Sequence, residues 1–125
     1  MKKVISTNSA PLAIGPYSQA ILSNNTLYCS GQIAIEPITG NIVTDNIIDE
    51  TNQVMQNILA LLKATNMDFK NVVKCTIFMK NMKDYSKINT VYSKYFQQSY
   101  PAREAVEVSV LPKNVNVEIS VIAEY

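Results

Sequence analysis

The spacing of apolar and polar positions changes several times along this chain, and each change marks an element. The run VISTNSAPLAIGPYSQAI opens as a short apolar strand and passes into a Pro/Gly loop, where Gly15 before Pro16 favours extended backbone. Residues Ser18 to Leu22 and Thr26 to Ile35 predict a hairpin turning at Ser23-Asn24-Asn25, since asparagine tolerates left-handed backbone. Pro37 and Gly40 end that region. From about Asp45 to Lys63, Ile47, Ile48, Thr51, Val54, Met55, Ile58, Leu61 and Leu62 recur at three- and four-residue spacing and predict a helix. Asp45 is its expected N-cap, Asp49 and Glu50 suit the positive end of the helix dipole, and Asn66 is its expected stop.

Val72 to Lys80 predicts a strand with Val73, Cys75, Ile77 and Met79 on one face. A second helix is expected from about Asp84 to Gln98, turning Tyr85, Ile88, Val91, Tyr92, Tyr95 and Phe96 inward. Arg103 to Leu111 and Asn116 to Glu124 both alternate strictly and predict an antiparallel hairpin joined by Pro112-Lys113-Asn114. The order β-β-β-α-β-α-β-β implies a single α+β domain over residues 1–125, with both helices on one face of a mixed sheet. The other face would carry Glu107, Ser109, Glu118 and Ser120 among apolar neighbours, a mixture suited to meeting another subunit.

Composition narrows the chemistry. The chain has 125 residues, 47% of them hydrophobic, which is enough apolar surface for a folded core. Eleven Lys and Arg against ten Asp and Glu leave a net charge of +1, which argues against nucleic acid as a partner. Histidine is absent, so imidazole triads, HExxH zinc sites and imidazole proton shuttles are excluded. The two cysteines, Cys29 and Cys75, fit no CxxC pattern and read as buried free thiols. The polar run Ser6-Thr7-Asn8-Ser9 interrupts the start too early for a signal peptide, and no apolar run of ~18 residues is present to span a membrane. A cytoplasmic location is expected.

Among candidate site residues, Arg103 follows Tyr100-Pro101-Ala102 at a loop-to-strand junction, a place suited to bidentate binding of a carboxylate. Glu118 is a lone carboxylate between Val117 and Ile119, placed to act on water if partly buried. The stripe Tyr85, Tyr92, Tyr95 and Phe96 has no basic interleaving and reads as core rather than as a platform for bases.

Four segments together carry a resemblance: IGPYSQA, SGQIA at Ser30 to Ala34, DYSKINTVYSKYF, and YPAREAVEVSVLPKNVNVEISVIA. In register over almost the whole chain, they resemble the RidA/YjgF family. The resemblance implies a chorismate-mutase-like sandwich assembled as a homotrimer, with sites in the clefts between subunits; the chain's own lack of metal and cofactor motifs leads us to expect no cofactor or metal. It implies hydrolysis of reactive 2-imino acids, released by pyridoxal-phosphate dehydratases from threonine and serine, to 2-oxo acids and ammonia. By the same resemblance Arg103 clamps the substrate carboxylate and Glu118 holds the attacking water. Tyr17, Ser30, Gly31 and Asn89 line the cleft, and the backbone carbonyl of Ala105 accepts from the substrate nitrogen. Ala105 stands where many relatives carry cysteine, which rules out a thiol-dependent step there. Glu104 stands where a small residue is common, and would repel an anion if it faced the pocket. The rival expectations are a regulatory trimer that binds 2-oxo acids without turning them over, and a ribonuclease or translation inhibitor.

Overall fold

The C-terminal strand organises the sheet. Val117, Ile119, Val121 and Ala123 alternate along it and are all buried, because they face the helices. A computed structural model describes residues 1–97 and 99–125. The strands are β1 (Lys2–Ile5), β2 (Ala20–Ser23), β3 (Thr26–Cys29), β4 (Val72–Met79), β5 (Ala102–Glu107) and β6 (Val117–Glu124), and the helices are α1 (Ile47–Lys63) and α2 (Tyr85–Ser93). The element order is the expected one. Among the described residues six strands lie in the order β1-β2-β3-β6-β4-β5, with β4 and β5 the only parallel pair. Leu27, Val54, Ile58, Leu61, Ile77 and Ile88 fill the layer between sheet and helices.

The expected hairpin of the last two strands does not form. Strand β6 inserts between β3 and β4, and β5 pairs with β4 at the sheet edge. Strict alternation fixes which face a side chain takes, but not which strand lies alongside. Strand β5 also ends at Glu107 rather than Leu111, and Val106 and Val110 are exposed. Glu107 shares the register position of buried Met79, so it lies on the helix side, where its carboxylate accepts from the Met82 N–H. Ser109 falls beyond the strand. The open face therefore carries Glu118 and Ser120, with Tyr28, Thr76, Phe78 and Ile122.

Other boundaries differ for local reasons. Asn46, not Asp45, caps α1, its side-chain oxygen accepting from the Asp49 N–H at 2.8 Å. Asn66 does stop the helix: it takes left-handed backbone while Met67 N–H reaches back to Leu62 O. A register shift between Val72 and Lys74 turns Val73 outward and puts Val72 in the core instead. Helix α2 ends at Ser93, and the expected end at Gln98 lies outside the described residues. Phe96 still packs inward, edge-on to Phe69 and beside Tyr92. Tyr85, expected in the core, is 38% exposed.

In the first hairpin Ser23 pairs with Thr26, so the turn is Asn24-Asn25 with Asn24 left-handed. Strand β3 stops at Cys29 rather than Ile35. Ser30 and Gly31 leave the ladder, and Gln32 rejoins it by exchanging both backbone hydrogen bonds with Ile119. Cys29 and Cys75 are free and buried on strands separated by β6. Two strand spacings put them roughly 10 Å apart, beyond disulfide reach. Burial raises their thiols to about 12 and about 11.

Candidate active site

The interruption at Ser30-Gly31 makes room for a side chain from the neighbouring strand. Glu118 rises from β6 onto the open face and lies against Gly31. It makes no hydrogen bond or ion pair among the described residues, and loss of solvent raises its carboxyl above the usual range. Around it is a cleft of about 420 Å³ walled by Leu12, Ile14, Tyr17, Ile33, Ile35 and Lys113. Tyr17 is half-exposed on that wall. The Ser30 hydroxyl donates to Ser18 O at 2.6 Å, so it is held to the backbone of the loop that leads into β2. Gln19, which the sequence reading passed over, is buried beneath the cleft. Its side chain bonds Thr7, Ala10 and Pro11 backbone and so folds the loop that carries Leu12 and Ile14.

A second cluster forms on the other face of the sheet. Arg103 shares the register position of buried Cys75, so its side chain rises toward α2. Nη1 donates to Asn89 Oδ1 at 2.8 Å and Nη2 to the Tyr85 hydroxyl at 3.0 Å. The guanidinium also lies 5.0 Å from the centre of the Tyr92 ring. Tyr85, Asn89 and Tyr92 fall at i, i+4 and i+7, one stripe of α2. That spacing was the available signal for Tyr85 and Tyr92, which read from sequence as core alone. Burial pushes the Tyr92 hydroxyl up, and it has no hydrogen-bond partner among the described residues. No carboxylate pairs with Arg103 among the described residues; the ion pair there is Lys74–Glu104, at 3.1 Å. Three of the five guanidinium N–H groups remain unpaired by described residues.

Glu104 points away from Arg103. It accepts from Thr76 Oγ1 at 2.6 Å and pairs with Lys74, contacts that hold its carboxyl below the usual range. Its charge is thus matched on the open face rather than turned on the arginine. Ala105 lies two positions beyond Arg103 on the same side, partly buried against the core. Val108 donates its N–H to Met79 O, so even-numbered positions of β5 bond toward β4. The alternation of strand backbone groups turns the Ala105 carbonyl to the free edge. The seven expected residues therefore divide into two groups. Tyr17, Ser30, Gly31 and Glu118 gather on one side of the sheet, and Asn89, Arg103 and Ala105 lie on the other. No group of three or more Cys, Asp or Glu side chains is arranged to hold a metal among the described residues.

Among the described residues, Arg103 stands without an acidic partner and Glu118 without a hydrogen bond or ion pair, on opposite faces of a two-layer α+β fold. Residues 7–125 match the model of the Endoribonuclease L-PSP family, and the chain belongs to that family, the RidA/YjgF proteins. A 2-iminobutanoate/2-iminopropanoate deaminase of Capra hircus is 47% identical over 98% of this chain and 90% of its own. A candidate regulator of Lactococcus lactis, AldR, is 53% identical over 98% of this chain and 97% of its own. The crystal structure of Escherichia coli TdcF with bound serine superposes with a TM-score of 0.95 at 36% identity, covering 98% of each chain.

Proposed function

We propose that this protein is a 2-iminobutanoate/2-iminopropanoate deaminase, a hydrolase of C=N bonds, working as a homotrimer of one RidA-like domain per chain with sites between subunits. The observation that carries the reading is the placement of Arg103 and Glu118. Each is a charged side chain without an opposite charge among the described residues, and within one chain they rise from opposite faces of the sheet. Two copies meeting edge to face would bring one arginine to the other's carboxylate. The half-apolar open face, with Tyr28 and Val106 exposed, offers the surface for such a contact. The activity is that of the goat relative, and the bound serine of TdcF fits a site for a small amino-acid-like molecule.

The chemistry required is modest. A protonated imine beside a carboxylate is already electrophilic, so positioning does most of the work. Arg103 forks the substrate carboxylate, held in place by Asn89 and Tyr92. The Ala105 carbonyl accepts from the iminium N–H. Glu118, raised by desolvation, takes a proton from water as it attacks C2 and returns it to the nitrogen; as the C–N bond then breaks, Glu118 takes the remaining hydroxyl proton and passes it to the departing ammonia, so that a 2-oxo acid and ammonium leave. Tyr17, Ser30 and Gly31 shape the wall behind the substrate's methyl or ethyl group. The two free thiols accord with a reducing, cytoplasmic setting.

The test is a coupled assay in which threonine dehydratase generates 2-iminobutanoate and semicarbazide traps what survives. This protein should suppress semicarbazone formation. A second reading, favoured by the likeness to AldR, is a sensor that binds 2-oxo acids without turnover. Calorimetric binding of 2-oxobutanoate with no acceleration of imine loss would support the sensor.

A further inference from the structure

We infer that Tyr85 is a second donor to the substrate carboxylate, working beside Arg103; the inference rests on the deaminase or anion-binding site proposed above. The Tyr85 hydroxyl accepts a hydrogen bond from Arg103 Nη2 at 3.0 Å. Its own hydrogen goes to no acceptor among the described residues. A phenol that accepts from a cation is polarised toward donating, because hydrogen bonds in a chain strengthen one another. The groups arranged about the guanidinium from α2 are Tyr85, Asn89 and Tyr92, none of them a carboxylate, so no acid of that helix competes there with an incoming anion.

The three residues are not equivalent. Asn89 spends its oxygen on Nη1, and Tyr92 offers its ring from the core at 3% exposure. Tyr85 stands at the first position of α2, 38% exposed, with its ring centre 5.6 Å from the guanidinium carbon. It is the most exposed of the three, and its hydroxyl is fixed by the arginine. A carboxylate that takes one oxygen to the guanidinium fork has its second oxygen within reach of the hydroxyl hung on the same fork. Tyr85 would then discriminate in favour of a planar carboxylate over an uncharged carbonyl substituent at the same place.

The experiment compares wild type with Tyr85→Phe, a substitution that keeps the ring and its packing at a half-exposed position. Calorimetry measures 2-oxobutanoate and its methyl ester, and the coupled assay measures turnover. A lost hydrogen bond to a charged partner should raise Kd for 2-oxobutanoate and KM for the imine by about 3- to 10-fold, with kcat altered by less than about twofold. The methyl ester should bind both proteins alike. Equal Kd values for 2-oxobutanoate, or equal weakening of acid and ester, overturn the role given to Tyr85, the second because it marks a packing effect. Failure of wild type to accelerate imine loss sinks the deaminase reading, and the Kd ratio still decides Tyr85. Failure of wild type to bind 2-oxobutanoate at all overturns both.

Discussion

Gly31 and Glu118 are matched by shape: a Cβ placed on Gly31 would collide with Glu118 Oε2 and stand 2.8 Å from its Cδ. The missing side chain is the space in which the carboxylate lies. Gly31→Ala meets the movable end of a side chain rather than backbone, so the protein should fold with the carboxylate displaced. Turnover should fall by roughly 10- to 100-fold, the scale of an ångström-sized misplacement. Affinity for 2-oxobutanoate should change far less. A Gly31→Ala enzyme of normal kcat would separate Glu118 from the chemistry.

Glu118 also sets a pH limb. Its carboxyl is raised by desolvation, so the protonated form persists above the ordinary value of ~4.3, and the ionised base appears only at higher pH. The rate should climb with pH through that raised value, and Glu118→Gln should lose the limb. The stability linkage has the same sign. A carboxyl raised on folding contributes stability below its unfolded value, and that contribution is lost as pH rises through the folded value. At neutral pH, then, Glu118→Gln should melt no lower than wild type, and slightly higher, while turning over about 10²- to 10⁴-fold more slowly. Melting curves at pH 4 and pH 7 check the sign.

Arg103→Ala should abolish detectable carboxylate binding and leave the fold intact, since the side chain lies on an edge strand and pairs with no acid among the described residues. Arg103→Lys should recover little, because an ammonium cannot serve Asn89, Tyr85 and a carboxylate in one plane. Calorimetry with 2-oxobutanoate reads both variants.

Glu50 bears on stability instead. It is fully buried in α1, and its carboxylate accepts from Asn116 N and Nδ2, each at 2.7 Å, and from Val117 N at 3.3 Å. Those contacts tie the first turns of α1 to the start of the strand carrying Glu118. Glu50→Ala would leave buried N–H groups unsatisfied and should cost about 2–4 kcal/mol, seen as a lower denaturant midpoint.

The elements, and the residues proposed for both halves of the candidate site, were legible because they rest on local features. Alternation and helical spacing set the order of strands and helices, and the motifs around Gly31, Asn89, Arg103 and Glu118 carried the resemblance. What escaped was relational. The alternation of Val106 and Val108 against that of Val117 and Ile119 cannot say that β4 lies between them. Glu50 read only as a dipole-compensating acid because its partners are 66 and 67 residues away. Tyr85 and Tyr92 read as core because an apolar stripe looks the same whether it meets leucines or a guanidinium. Glu107 reads as an outward charge until the pairing with Met79 turns it to the helix side.

The most direct test of a shared site uses co-assembled variants. Arg103→Ala and Glu118→Gln chains, each expected to be nearly inactive alone, are co-expressed in equal amounts, and the mixed assemblies are put through the dehydratase–semicarbazide assay. A site that takes Arg103 from one copy and Glu118 from the next is intact wherever the two variants adjoin in the right order, about one quarter of sites for random closed assembly. The mixture should therefore regain about a quarter of wild-type imine hydrolysis, by the same counting. Activity that stays at the level of the single variants, beside an active wild type, would contradict a site built from two copies.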